Sequence, residues 1–156
     1  MFRIWTVLCA LTLFATSSLS AATIEVAYSE YRETGSFQRI QEFFTGREAP
    51  GNRTIVRTDR EERDGQYFLI NLTRSVARSE VHSVEIEFIT TERKDTRRFE
   101  FALADAARVR GSWIYCGVTG SDWEGRSVRP LAWTARLKDS EGRVLDEWES
   151  FVQRMP

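Results

Sequence analysis

The sequence predicts an all-β fold, a sandwich of about seven or eight antiparallel strands with one short helix. Three observations indicate this class. Several segments alternate apolar and polar residues with a period of two, as half-buried strands do. Clusters of turn-forming residues separate many of these segments at short spacing. One segment alone has the apolar spacing that is typical of a helix.

The first predicted strand is TIEVAYS, which would place Ile24, Val26 and Tyr28 on one buried face. The later candidates are NRTIVRT, QYFLINL, HSVEIEFIT, RRFEFAL, SWIYCGV, LAWTARLKD and RVLDEWESFV. SWIYCGV is apolar on both faces, which indicates a central strand. KDSEGR favours a tight hairpin turn, because Asp139 can bond its own backbone and Gly142 tolerates a positive φ.

The predicted helix lies in SFQRIQEFFTG. Phe37, Ile40 and Phe44 follow the i, i+3, i+7 spacing of one helical face. Ser36 is suited to cap its start, and Gly46 is suited to end it. We expect this apolar face to cover one end of the sandwich.

The number and spacing of the strands resemble those of immunoglobulin-like and fibronectin-like modules in general terms. We therefore expect an immunoglobulin-like β-sandwich. The Cys…Trp…Cys pattern of antibody domains is absent from the sequence. A jelly roll and a closed β-barrel remain the alternatives.

The N-terminus has the pattern of a secretory signal peptide. Arg3 is followed by an apolar run at 4–15 and then by small residues at 16–22. The run is shorter than the roughly 20 residues that a spanning helix needs, so cleavage near residues 20–22 is expected rather than anchoring. The prediction is a signal peptide at 1–20 and one domain at 21–156, secreted or periplasmic and without stable membrane insertion.

Composition excludes few partners. The formal net charge is −1, and basic and acidic residues are interspersed, so no basic stripe indicates a nucleic acid. Cys9 lies in the apolar run of the predicted signal, which leaves Cys116 as the single cysteine of the mature chain. Cys116 belongs to the strand-like segment SWIYCGV and is predicted to be an inert buried thiol.

The charged stretch RTDREERD occupies 57–64, between two predicted strands. We interpret it as the exposed loop of a hairpin, because mixed charges keep such a tip soluble. The alternative is a recognition loop in which Arg57, Arg60 and Arg63 bind carboxylates or phosphates.

Few residues suit catalysis. His82 is the single histidine, and it is interpreted as a surface residue. Glu85 and Glu87 share one strand face at a spacing that would suit a glycosidase pair, although solvated sheets show the same alternation. No phosphate-binding loop or metal-ligand spacing is present, so no cofactor and no metal site are predicted.

The strongest functional candidate is a loop tryptophan. Trp113, Trp133 and Trp148 fall in predicted strands, whereas Trp123 falls in the non-strand segment at 118–130. Flanked by Asp122 and Glu124, it could stack on a sugar or anchor a partner. The alternative is that Trp123 folds back and plugs the sandwich.

The sequence thus favours an exported, non-enzymatic β-sandwich that binds a protein partner or has a structural role. The alternative is a carbohydrate-binding module or a small glycan-acting hydrolase that uses Trp123 and the neighbouring carboxylates. The candidate binding residues are Trp123, Asp122, Glu124, Arg57, Arg60 and Arg63.

Overall fold

The structure is a computed structural model that describes residues 22–150. The predicted signal peptide at 1–20 and the end of the last predicted strand lie outside these residues. Within them the chain forms eight strands and one helix: β1 Ile24–Arg32, α1 Ile40–Thr45, β2 Arg53–Arg57, β3 Gly65–Leu72, β4 Ser83–Thr90, β5 Arg97–Ala102, β6 Trp113–Thr119, β7 Pro130–Lys138 and β8 Val144–Glu149. Short 3₁₀ turns lie at Thr34–Ser36, Val76–Arg78, Leu103–Asp105 and Gly120–Asp122.

The strands form two four-stranded sheets that pack face to face, so the all-β sandwich is confirmed. One sheet has the order β1-β3-β6-β2, and the other has the order β5-β4-β7-β8. Every adjacent pair is antiparallel except β2 and β6, which run parallel. The prediction of a purely antiparallel fold is therefore wrong at one strand.

The core lies between the sheets and is built from the inward positions that the alternation predicts. Phe68 of β3 is fully buried, with its ring centroid 5.4 Å from Phe88 of β4 and 5.1 Å from Trp133 of β7. Ile70 and Ile86 are also fully buried. Burying such side chains is the main force that holds the two sheets together.

A second apolar cluster covers the outer face of the β1-β3-β6-β2 sheet. Its buried members come from three strands and from the segment before α1: Phe37, Ile55, Tyr67, Leu69 and Tyr115. Phe37 is 2% exposed, and its ring lies 4.8 Å from that of Tyr67. Strand β3 is consequently buried on both faces, which agrees with its nearly continuous apolar sequence.

Two hairpins join consecutive strands, and the one predicted at KDSEGR is confirmed. β4 and β5 are antiparallel neighbours, and so are β7 and β8. In the second turn the carboxylate of Asp139 accepts hydrogen bonds from the backbone N–H groups of Glu141 and Arg143. These are the local bonds that favour Asp in tight turns.

The charged stretch at 57–64 is not the hairpin loop that the sequence predicts. Strand β6 lies between β2 and β3, so the stretch crosses over one strand of the sheet. It is held in place by β6, because the hydroxyl group of Thr119 donates to the carbonyl oxygen of Asp59, at 3.0 Å. The same hydroxyl oxygen accepts from the backbone N–H of Asp59, at 3.1 Å.

The predicted buried face of β1 is wrong because the register shifts between Ile24 and Val26. This bulge exchanges the two faces of the strand. Val26 and Tyr28 are 39% and 43% exposed, whereas Ala27 is buried. The inward positions after the bulge are Ala27, Ser29 and Tyr31, which pair with inward positions of β3.

The helix exists, but its predicted buried face does not. α1 is only six residues long and ends at Gly46, whose φ of 63° is left-handed. Phe37 lies outside the helix and is the one predicted contact residue that is buried. Ile40 and Phe44 are 81% and 80% exposed, and Phe37 is the residue of this segment that packs on the sheet.

Candidate functional site

A cleft beside β1 is a large concave feature of the described residues. We call it the β1 cleft, and its volume is about 830 Å³. One wall is the C-terminal half of β1, and the opposite wall is the loop before β7. Its lining residues are Ser29, Glu30, Tyr31, Arg32, Glu33, Gly35, Ser36, Gln66, Arg126, Arg129 and Pro130.

The inward positions of β1 and β3 become polar where they reach this cleft. Tyr31 pairs with Gln66, and Ser29 pairs with the core residue Phe68. Gln66 therefore belongs to the same inward series as Phe68, Ile70 and Leu72. A polar residue in a core-facing series is the signal by which the sequence could have identified Gln66.

Gln66 is the least satisfied polar side chain of the cleft. It is 1% exposed, and its Oε1 atom has no hydrogen-bond partner among the described residues. A buried acceptor without a donor costs about 1–3 kcal/mol of folding stability. A ligand donor inside the cleft would remove this cost once the Gln66 amide turned toward the cleft, because the Oε1 atom itself is buried.

The rim of the β1 cleft carries charges of both signs. Arg126 and Glu33 form an exposed pair at 2.6 Å, and Arg32 pairs with Glu30. Arg129 donates to backbone carbonyl groups and, within residues 22–150, has no carboxylate within 4.0 Å. One cation of the rim is thus available to an acidic group of a ligand.

Tyr31 also lines the cleft, and the pKa of its phenol is raised above the usual value. Burial raises the pKa of its phenol, and the negative charges of Asp64 and Glu33 raise it further. The charge of Arg126 acts in the opposite direction. Tyr31 therefore stays protonated at neutral pH and keeps a donor and an acceptor at the mouth of the cleft.

β1 also offers its backbone to the cleft. It is an edge strand, paired only with β3 in the sheet that the described residues form. Five consecutive residues at 29–33 line the cleft. An edge strand presents a row of backbone N–H and C=O groups, which an added strand can bind.

Trp123 lies in the core rather than on the surface. It is 6% exposed, with its ring centroid 5.6 Å from that of Phe88. Its Nε1–H group donates to the carbonyl oxygen of Gly125 at 3.0 Å. This position corresponds to the plug alternative, and it leaves no indole face for stacking on a sugar.

Both residues beside Trp123 contact arginines, Glu124 through its carboxylate and Asp122 through its backbone. Glu124 lies 2.6 Å from Arg93 and 3.8 Å from Arg97. The backbone carbonyl of Asp122 accepts a hydrogen bond from Arg97 at 2.7 Å. No group of three or more potential metal-ligating side chains occurs in the part of the chain that the structure describes.

The three candidate arginines of the charged stretch do not form one site. Each binds a different carboxylate, with N–O distances of 2.6 Å in all three cases. The pairs are Arg57–Glu48, Arg60–Asp105 and Arg63–Glu42. Their positive charges are compensated within the protein, so the geometry favours a structural role.

Arg57 packs against the second apolar cluster, with its guanidinium carbon 4.9 Å from the ring centroid of Phe37. Its guanidinium donates two hydrogen bonds to Glu48 and one, at 2.6 Å, to the hydroxyl oxygen of Tyr67. Burial opposes the ionisation of Glu48, but the hydrogen bonds and charge of Arg57 outweigh it and hold its pKa below the usual value. Burial also raises the pKa of Tyr67 to about 12.

The residues considered for catalysis are placed as ordinary structural residues. His82 is exposed, and its Nδ1 atom lies 3.1 Å from the carbonyl oxygen of Glu80. Glu85 and Glu87 are bound by cations of neighbouring strands. Cys116 is fully buried, and burial raises the pKa of its thiol, as expected for an inert core cysteine.

Comparison with known proteins found no matching family, no similar curated protein and no similar solved structure. Over residues 22–150, none of the helices has both the length and the apolar character needed to cross a membrane.

Proposed function

We propose that this chain is an exported, non-enzymatic binding module that holds an extended segment of a partner polypeptide in the β1 cleft. The observation that carries the proposal is Gln66, a residue that lines this cleft and whose buried Oε1 atom lacks a donor. Export rests on the signal-like sequence at the N-terminus.

A polypeptide fits the cleft better than a compact small molecule for two reasons. Residues 29–32 of the cleft wall belong to the edge strand β1, and an edge strand can pair with an added strand. Gln66 and Arg129 add an acceptor and a cation beside that edge strand, and a polypeptide supplies amide donors and carboxylates. Backbone pairing would provide affinity, and these side chains would provide specificity.

The order of the strands supports an immunoglobulin-like arrangement. In the constant-type immunoglobulin sandwich the sheets are A-B-E-D and C-F-G. With β1, β3 and β6 taken as A, B and E, and β4, β7 and β8 as C, F and G, the neighbours correspond. β2 occupies the place of D, but it comes earlier in the chain and runs parallel to β6.

The carbohydrate-binding alternative has less support, since it relies on stacking by Trp123, whose ring is buried. A polysaccharide array tests it directly. Retention of the protein on a glycan, lost in Trp123→Ala with the fold intact, would favour carbohydrate over polypeptide.

Site-specific photocrosslinking in the native exporting cell tests the proposal. A photoreactive side chain at Gly35 suits the purpose, because this residue lines the cleft and an added Cβ meets nothing within 4 Å. The matched control carries the same group at His82, an exposed residue next to the other sheet. We expect one recurrent protein adduct at Gly35 and none at His82.

Gln66→Leu separates binding from folding. Removing the unsatisfied amide should keep or raise the stability of the free protein, while the Gly35 adduct should weaken. Equal adducts at both positions, or an adduct unaffected by Gln66→Leu, would contradict the proposed site.

A further inference from the structure

α1 carries the three most exposed large hydrophobic residues of the described part of the chain. Ile40, Phe43 and Phe44 are 81%, 89% and 80% exposed, and we call these three residues the α1 projection. Scattered exposed apolar residues are normal on soluble proteins, but three large ones within a single short helix are not. Such clusters mark contact with another surface.

The projection is a built feature of the fold. Phe37 anchors the chain to the second apolar cluster, and Glu42 binds Arg63 at 2.6 Å. These contacts attach the chain before the helix to the sheet, and the helix itself to the crossover at 57–64, while Ile40, Phe43 and Phe44 stay exposed. The rings of Phe43 and Phe44 meet edge to face, with centroids 5.9 Å apart.

Basic residues surround the projection. Arg39 directly precedes α1, Arg47 follows it closely, and both are exposed. The guanidinium of Arg39 lies against Gly51, where an added Cβ would come within 2.7 Å of its Nη1 atom. Gly51 lines a groove of about 660 Å³ together with Arg47, Arg108 and Arg110.

The charge of this surface is not cancelled by the nearby acids. Glu42 is bound by Arg63, and Glu48 is bound by Arg57. Within residues 22–150, none of the four arginines beside the projection has a carboxylate within 4.0 Å: Arg39, Arg47, Arg108 and Arg110. The α1 projection therefore rises from a positively charged surface.

We propose that the α1 projection binds the surface of an anionic lipid bilayer. Phe43 and Phe44 enter the boundary between headgroups and acyl chains, where aromatic rings are favourable. The arginines around them attract the anionic headgroups, and their long stems allow the charges to stay at the interface. The contact is peripheral and reversible, because only one helical turn enters the bilayer.

Vesicle flotation tests this proposal with the full protein after export. The probes are vesicles of phosphatidylcholine alone and of phosphatidylcholine mixed with phosphatidylglycerol. We expect flotation with the anionic vesicles only, reduced by raised salt because screening weakens the attraction of the arginines. Phe43→Ser combined with Phe44→Ser should lower the vesicle-bound fraction at least about tenfold.

Two variants complete the design. Arg39→Gln combined with Arg47→Gln should weaken anionic binding and remove much of its salt dependence. Val144→Ser is the matched apolar control, because Val144 is 52% exposed on β8, in the other sheet, and should not change flotation. All these positions are exposed, so circular dichroism should show an unchanged fold.

Three results would overturn the proposal. One is the absence of flotation with either vesicle. Another is a loss of vesicle binding in Val144→Ser as large as that in Phe43→Ser combined with Phe44→Ser. The third is a concentration-dependent dimer in sedimentation velocity that Phe43→Ser with Phe44→Ser abolishes, without vesicle binding, since that would make a second copy of the chain the occupant. None of these results bears on the β1 cleft, which the crosslinking experiment tests separately.

Discussion

The outer faces of the two sheets are built in opposite ways. The β5-β4-β7-β8 sheet presents a network of charges, in which Glu85 lies 2.7 Å from Lys138 and 3.0 Å from Arg136. The β1-β3-β6-β2 sheet presents the second apolar cluster, closed by Phe37 and the Arg57–Glu48 pair. One sheet meets water directly, whereas the other carries a covering segment.

The two sheets differ because their strands distribute apolar residues differently between the inner and outer faces. In β4, Glu85 and Glu87 alternate with Val84 and Ile86, as a sheet with one solvated face requires. In β3 both faces are apolar, so the outer face needs a cover, which the segment around α1 provides through Phe37 and through Glu48, the partner of Arg57. The exposed α1 projection belongs to this covering segment, not to the sandwich itself.

The largest expected effect tests whether the second apolar cluster is a true core. Leu69 is fully buried on the outer face of β3. Leu69→Ala should lower the free energy of unfolding by about 2–4 kcal/mol, because it leaves a cavity under the cover. Urea denaturation measures this, with Leu131→Ala as control, since Leu131 is 49% exposed. A loss of stability as small as that of the control would show that the covering segment is only loosely attached to the sheet.

The next largest effect on stability concerns the Arg57–Glu48 ion pair, which lies beside that cluster. The Arg57 side chain is 7% exposed and that of Glu48 is 21% exposed. Arg57→Gln should lower the free energy of unfolding by about 2 kcal/mol, because Glu48 and Tyr67 lose their donor in a half-buried place. In Arg60→Gln the change should stay within about 0.5 kcal/mol, because Arg60 is 68% exposed in its pair. Similar losses of stability in Arg57→Gln and Arg60→Gln would contradict the difference expected between the half-buried and the exposed ion pair.

A smaller, pH-dependent effect belongs to the charged face. The hydrogen bond from Lys138, followed by that from Arg136, holds the pKa of Glu85 below its usual value despite partial burial. Its contribution to stability is thus present above the unfolded pKa and is lost as the pH falls through the lower folded pKa. Glu85→Gln should cost about 1 kcal/mol at neutral pH.

The acid limb of a stability–pH curve provides the check. The curve of Glu85→Gln should be flatter than that of the unaltered protein, whereas Glu149→Gln should leave it unchanged. Glu149 is exposed and makes no ion pair within residues 22–150. Parallel acid limbs for Glu85→Gln and the unaltered protein would show that the ionisation of Glu85 is not coupled to folding stability.

The last prediction concerns the inner face of β6 and uses the protection of Cys116 from alkylation, which requires no mutation. Cys116 faces the core between the sheets, whereas its neighbour Tyr115 faces the second apolar cluster. Alkylation followed by mass spectrometry should leave the Cys116 peptide unmodified in the native protein and modify it in urea, along the unfolding curve. Modification in the native state would mean that the core opens locally at β6.

Several elements could be predicted because their causes are local. The hairpin at 139–142 follows from Asp139 and its own backbone, and the inward faces of β4 and β7 follow from alternation. The central place of β6 follows from its two apolar faces. Of the cleft, Gln66 was detectable as a polar residue in an apolar series, but its lack of a donor was not.

What the sequence determined by itself is therefore the strands, their turns and most of the core positions. These depend on neighbours within a few residues, through period-two alternation and turn chemistry. Only the tertiary structure decided that β2 pairs in parallel with β6, that Trp123 is buried and that Ile40 and Phe44 are exposed. Each of these outcomes depends on contacts between segments that are distant in sequence. β6 separates β2 from β3, Trp123 packs against Phe88, and Phe37 rather than α1 packs on the sheet.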